Sequence, residues 1–180
     1  MKTIILGPPG TGKTTTLLNL VDEFIQQGVR PKQIGYFSFT RKAATEAATR
    51  AADKFGLDVE NDLDNFRTLH SYAFRQLEYY DSRQNILDIE RNTLYLLSEE
   101  LKRFKKEKGL KDFNDLLEDF IDKDINNKFE VLFIDEAQDL SLIQWDMVRK
   151  LWSNANKTYI AGDDDQAIFK WAGADVDHFI

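Results

Sequence analysis

Eight consecutive residues, Gly7-Pro8-Pro9-Gly10-Thr11-Gly12-Lys13-Thr14, spell G-x-x-x-x-G-K-T between an apolar run, Lys2-Thr3-Ile4-Ile5-Leu6, and an amphipathic segment from Thr14 to Gln27. No other stretch limits the fold as strongly, because the string works only as the loop of a strand–loop–helix unit. Glycines at 7, 10 and 12 let the backbone curl so that successive N–H groups point inward at phosphate oxygens. The helix that follows adds its partial positive charge to the same anion site. Lys13 is placed to reach the β/γ-phosphates and the Thr14 hydroxyl to complete a Mg²⁺ shell. Residues Gly7, Pro8, Pro9, Gly10, Thr11, Gly12, Lys13, Thr14 and Thr15 therefore form the nucleotide-binding set of the loop. The bland alternative is a glycine turn that binds nothing. All four fixed positions of the eight-residue string, in the right local context, point instead to a nucleoside triphosphate.

The rest of the chain alternates in a way that suits such a unit. Leu17, Leu18, Val21, Phe24 and Ile25 recur at helical spacing, closed by Gly28. Ile34 to Phe39 predicts a second strand, and Thr40 caps an alanine-rich helix from Arg41 to about Phe55, closed by Gly56. A third strand is predicted near Phe66–Thr68 and a helix from Leu69 to Tyr80. Between 86 and 127 two apolar stripes appear with no strand between them: Leu94, Leu97, Leu101 and Phe104, then Phe113, Leu116, Leu117, Phe120 and Ile121. They suggest a helical insertion, with ordinary outer helices of the sheet as the alternative. Glu130–Ile134 is a near-continuous apolar run of the buried parallel type, followed by a helix from Ser141 to about Trp152 and a strand at Lys157–Ala161. The expected fold class is α/β, a parallel P-loop sheet flanked by helices.

The chain has 180 residues, of which 42% are hydrophobic and 13 are Phe, enough for one compact domain with a real core. Cysteine is absent, which excludes disulfides, thiolate zinc sites and a cysteine nucleophile. No run approaches a membrane span, and Met1 leads directly into the first strand, so no leader and no membrane partner are expected. A cytoplasmic location is the corresponding expectation. The formal charge is −7, which counts mildly against nucleic-acid binding unless charge is segregated by face. One basic run, Lys102 to Lys108, stands out; its plain reading is a solvated helix face.

Two further clusters carry chemistry. Asp135-Glu136-Ala137-Gln138-Asp139 follows the buried apolar run, and ligands of open α/β sheets bind outside the carboxyl ends of strands. Asp135 would hold Mg²⁺, through water, while Glu136 orients and deprotonates an attacking water. The alternative is a capped helix start with solvated acids. The last strand leads into Gly162-Asp163-Asp164-Asp165-Gln166, which brings an amide to the same rim, where it could sense a γ-phosphate. Trp171, five residues on, offers a face for base stacking worth roughly 1–3 kcal/mol.

Together these strings resemble the N-terminal RecA-like motor domain of superfamily 1 DNA helicases, the UvrD/Rep/PcrA-like group. Besides the phosphate loop, Phe39-Thr40-Arg41-Lys42-Ala43-Ala44 with Glu46 resembles F-T-N-K-A-A-x-E, and Thr68-Leu69-His70-Ser71 resembles T-x-H-S. Asp135 to Asp139 with Ser141 resembles D-E-x-Q-D-x-S, and Gly162 to Ala174 resembles G-D-D-D-Q-S-I-Y-x-W-R-G-A. The resemblance implies ATP and Mg²⁺ as cofactors and 3′ to 5′ movement along single-stranded DNA. It assigns hydrolysis to Lys13, Asp135, Glu136 and Gln166, metal binding to Thr14 and Asp135, and DNA contact to Phe39, Thr40, Arg41, Thr68, His70 and Trp171.

Departures accompany the match. Thr15 stands where many relatives carry Arg after G-K-T, Arg41 replaces Asn, and Ala172 replaces the Arg after the tryptophan. No glutamine-bearing segment precedes the first strand, and the second RecA-like domain with its arginine fingers is missing from these residues. The expectation is the motor half of a longer helicase, with slow hydrolysis and no unwinding by itself. Two other classes compete. A free-standing P-loop NTPase or small nucleotide or metabolite kinase would need an arginine-bearing lid, which is not evident. A nucleotide-controlled adaptor would not need Lys13, Thr14, Asp135 and Glu136 together.

Overall fold

The structure, a computed structural model, describes residues 1–77, 98–123 and 128–163. The chain forms two compact units, Met1–Leu69 with Asn126–Ile180, and His70–Ile125. The first holds a five-stranded parallel sheet in the order β1-β5-β4-β2-β3. Its strands are β1 (Lys2–Leu6), β2 (Ile34–Ser38), β3 (Phe66–Arg67), β4 (Phe129–Asp135) and β5 (Ala155–Gly162). The expected α/β class and parallel sheet are therefore observed.

Helices α1 (Lys13–Gln26) and α2 (Arg41–Phe55) follow β1 and β2. Each ends where the sequence predicts. Gly28, at φ 91°, closes α1 with its N–H on the Ile25 carbonyl at 3.0 Å, while Val29 N–H reaches Phe24 at 3.0 Å. Thr40 caps α2 by accepting the Ala43 N–H at 3.2 Å. One face of the sheet meets these helices. Ile34, Tyr36, Val131, Phe133 and Ala161 join Leu17, Val21, Phe24, Ala47, Ala48 and Ala51 in one core. The alternate residues of the same strands, Phe37, Leu132, Ile134 and Ile160, are buried on the other face, as period-two alternation requires of a sheet covered on both sides. Across α1 and α2, Lys54 pairs with the buried Asp22, and Arg50 donates to Asn19 at 2.9 Å. Helix α6 (Leu142–Ser153) starts at Ser141 with a reciprocal capping box to Gln144 and packs on β5.

The second unit contains α3 (Leu69–Gln76) from its second residue on, α4 (Ser98–Lys108) and α5 (Phe113–Asp122). Leu116, Leu117 and Phe120 of the second predicted stripe are buried, with Phe120 edge-on to Tyr72 at 5.7 Å. Two stripe members depart from the pattern: Phe104 and Phe113 are 47% and 41% exposed. Helical spacing marks a face, but burial also needs a covering neighbour. Leu94 and Leu97 lie outside the described residues. Within the basic run, Lys105 is committed to Asp112 at 2.8 Å and to both Asp115 oxygens at 2.8 and 2.7 Å. Burial draws its pKa down, but the bonds to the two carboxylates outweigh that and leave it raised. Arg103, Lys106 and Lys108 are exposed, as a solvated face requires.

Candidate functional site

The loop between β1 and α1 adopts a conformation that its residue types permit and few others would. Gly10 and Gly12 have φ of 73° and 83°, where a Cβ is penalised. At Gly7 the constraint is space instead: a Cβ would lie 2.8 Å from the Thr11 hydroxyl, which itself donates to the Pro8 carbonyl at 2.7 Å. The Lys13 ammonium folds over the loop and donates to the carbonyls of Gly7 and, at 3.0 Å, Pro8. It is thus already held at the mouth of the loop. Thr14 is half-buried in the first turn of α1, while Thr15 is exposed.

Asp135 is the last residue of β4 and Glu136 the first beyond it. Only β5 separates β1 from β4, and Leu6 pairs with Gly162 while Ile134 pairs with Ile160. At about 4.8 Å per strand, the loop's origin and Asp135 stand about 10 Å apart on one rim. Asp135 shares the parity of Val131 and Phe133, so it lies on the face that α1 and α2 cover. It is 1% exposed, so this carboxylate is not solvated, whereas Glu136 and Asp139 are half-buried. Its Oδ2 accepts the Tyr36 hydroxyl at 2.7 Å and its Oδ1 accepts the Glu136 N–H at 3.0 Å.

Glu136 has φ 56°, the one positive value for a non-glycine among the described residues. Such backbone costs about 1–3 kcal/mol and persists where surrounding contacts over-determine it. Here one contact is Gln138, whose Nε2 donates to Glu136 Oε2 at 2.6 Å. The same amide's Oε1 accepts the Asp163 N–H at 3.1 Å, where β5 has just ended. Gln138 therefore links the acidic turn to the strand that leads toward Gln166. Asp139 has its pKa raised to about 6, first by burial and then by the charge of Glu136.

The donor set fits magnesium with a nucleotide. Among the described residues no group of three or more acidic or histidine side chains could hold a metal by itself. Mg²⁺ of this kind takes one or two protein ligands and completes its shell with phosphate oxygens and water. Ser38, the register partner of Asp135, supports the fit: its buried hydroxyl has no hydrogen-bond partner. An unsatisfied hydroxyl beside a buried carboxylate leaves room in the hydrogen-bond scheme for a metal's water.

The predicted DNA contacts divide. Phe39 follows the end of β2 with 37% of its surface exposed, and Thr40 and Arg41 are exposed beside it. Thr68 follows the short β3, so these four residues line the same carboxyl edge of the parallel sheet as the phosphate loop and Asp135. His70, in the second unit, is half-buried and edge-on to Phe113 at 5.6 Å, and burial pushes its pKa down. Gln166 and Trp171 lie outside the described residues. Sequence reasoning overlooked Tyr36, Ser38 and Gln138. Gln138 stood inside a recognised string, and its distance of two from Glu136 was the available signal; nothing local marked Tyr36 or Ser38 as more than strand residues.

The comparisons with known proteins agree with this geometry. The family model described as UvrD/REP helicase N-terminal domain matches residues 1–115 and 81–180. An ATP-dependent DNA helicase Rep of Buchnera aphidicola subsp. Baizongia pistaciae is 25% identical over 241 residues, covering 98% of this chain and 35% of that protein. That alignment is longer than the chain itself, so the relative carries additional residues within the matched region. A relative from Acanthamoeba polyphaga mimivirus is 29% identical over 176 residues, 94% of this chain and 23% of its own length. The ATP-dependent DNA helicase PcrA of Staphylococcus aureus is 37% identical over 54 residues, 30% of this chain and 7% of the relative. The chain thus spans about a third or less of these relatives' lengths. With the phosphate loop, the acidic turn and the sheet order all in place, the chain belongs to the UvrD/REP helicase N-terminal domain family.

Proposed function

We propose that this chain is the ATP-binding motor domain of an ATP-dependent DNA helicase that moves 3′ to 5′ on single-stranded DNA. The observation that carries the reading is the shared rim: a phosphate loop with Lys13 at its mouth after β1, and Asp135 with Glu136 at the end of β4, with β5 alone between the two strands. Lys13 and the loop amides bind the phosphates; Thr14 and Asp135 hold the metal. Bound Mg²⁺ supplies neutralisation of the charge on the β- and γ-phosphates. Glu136 orients water and accepts its proton as the oxygen attacks the γ-phosphorus, with ADP leaving. Gln138 fixes the Glu136 carboxylate through the 2.6 Å bond. Gln166 senses the γ-phosphate, and Trp171 passes the nucleotide state to DNA together with Phe39, Thr40, Arg41, Thr68 and His70. Residues 86–127 belong to a helical insertion, a reading supported by the separate compactness of His70–Ile125.

A second RecA-like domain would supply the arginine that stabilises the transferring phosphoryl group, a contribution of about 10³–10⁵ in rate. The 180 residues alone should therefore hydrolyse slowly. A cytoplasmic location accompanies the reading, and no helix among the described residues is long and apolar enough to cross a membrane. The test is equilibrium binding of a fluorescent ATP analogue, with and without Mg²⁺, to the parent and to Lys13→Ala, followed by titration with labelled single-stranded DNA. Metal-dependent binding lost in Lys13→Ala, with DNA binding that responds to nucleotide, is the expected result. Nucleotide binding with no DNA affinity in any state would refute the helicase assignment.

A further inference from the structure

We propose that the Tyr36 hydroxyl is a positioning group for this site, holding Asp135 Oδ2 so that the carboxylate meets its metal in one fixed orientation. The inference rests on the reading of Asp135 as the magnesium ligand.

The geometry begins with the strands. Tyr36 precedes Ser38 by two residues on β2, and Ser38 is the register partner of Asp135 on β4. Tyr36 and Asp135 are thus diagonal neighbours on one face of the sheet, close enough for a long aromatic side chain to reach across. The reach is realised in the 2.7 Å bond from the phenol to Oδ2. The ring has little freedom to swing away. It is 0% exposed, stacks on Phe66 at 5.5 Å and 8°, and lies 6.2 Å from Phe133.

Packing alone gives no reason for that hydroxyl. A phenylalanine would make the same ring contacts without burying a polar atom. Asp135 gains from it. The carboxylate is 1% exposed, and its two donors are both neutral, one on each oxygen. The Glu136 amide alone would leave the group free to rotate about its own axis; a second donor from the opposite side removes that freedom. Each oxygen keeps further acceptor capacity after one bond. The pair therefore fixes the orientation without using up the carboxylate. Hydrogen bonds to metal-ligating carboxylates have this effect elsewhere, and losing one commonly costs 10–100-fold in metal affinity or activity.

The experiment compares the parent with Tyr36→Phe, using Mn²⁺ as a paramagnetic probe together with a non-hydrolysable ATP analogue. The expected result is roughly tenfold weaker Mn²⁺ binding in the analogue complex, with metal-free analogue affinity within about twofold of the parent. Mn²⁺ affinity unchanged within twofold overturns the inference and leaves the hydroxyl a packing detail. Equal losses of metal-free and metal-dependent binding also overturn it, because the damage would then be to the fold. If the parent itself shows no metal-dependent nucleotide binding, the underlying reading fails and takes this inference with it. A second measurement does not depend on Tyr36→Phe folding. With Tyr36 replaced by 3-fluorotyrosine, the ¹⁹F resonance should shift when Mg²⁺ joins the analogue complex; an unmoved resonance refutes the role.

Discussion

Replacing Gln138 by leucine tests whether the acidic turn and the end of β5 are one mechanical unit. Gln138 is 3% exposed, and leucine is close to it in volume, so the change removes hydrogen bonds with little cavity. Three bonds go: the 2.6 Å donation to Glu136 Oε2, a long 3.5 Å donation from the same amide to Asp139 Oδ2 that adds little, and the 3.1 Å acceptance from the Asp163 N–H. A buried N–H that loses its acceptor costs about 1–3 kcal/mol, and loss of a bond to a charged acceptor about 1.5–3 kcal/mol. Glu136 is half-buried, so water can replace part of the second loss. The sum is about 2–3 kcal/mol, a fall of roughly 5–10 °C in Tm for a chain of this size. Freed from its donor, Glu136 also loses its aim at water, and kcat should fall about tenfold or more with KM within about twofold. Gln138→Glu separates the two shorter bonds. It keeps an acceptor for Asp163 but sets a carboxylate against Glu136, so its stability should recover as pH falls and one acid protonates. Calorimetry and steady-state phosphate release on the parent and both variants supply the numbers. A leucine variant that melts within 2 °C of the parent and turns over within twofold would refute the link.

Three other outcomes follow from the same geometry. Asp139 has its pKa raised to about 6 by burial and by Glu136, so its folded form favours the protonated state. Its contribution is therefore full below about pH 4 and lost as pH rises through about 6. Asp139→Asn should match the parent at pH 4 and exceed it by about 1 kcal/mol at pH 8, a figure already reduced for solvent screening of a half-exposed group; equal pH–stability curves from urea titrations would contradict this. Gly35→Ala would place a Cβ 3.0–3.2 Å from Phe37, Phe129 and Leu132 in a closed core, which should cost about 1–3 kcal/mol in denaturant unfolding. Lys105→Met leaves Asp112 and Asp115 facing each other without their cation and should cost about 1–2 kcal/mol, whereas Lys106→Met, on the exposed side of the same helix, should be neutral within about 0.5 kcal/mol.

What the sequence determined by itself was everything local. Gly7, Gly10 and Gly12 declare a loop because their backbone and space requirements exclude other residues, and Thr40, Gly28 and Gly56 mark helix ends through capping bonds that span only a few residues. The α/β alternation and the positions of Lys13, Asp135 and Glu136 were legible for the same reason. The strand order was not, because β1 neighbours β5 across some 150 residues and parallel pairing leaves no turn in the sequence to record it. Phe104 and Phe113 are stripe residues left partly exposed, since helical spacing marks an apolar face without saying whether anything covers it. Only the tertiary structure decided the environment of the acids. Tyr36 and Asp135 are 99 residues apart, and Gln138 and Asp163 are 25 apart. In each case a side chain that looks like ordinary strand or turn filling acquires its role from a partner that the sheet, and nothing nearer in the chain, brings within hydrogen-bond reach.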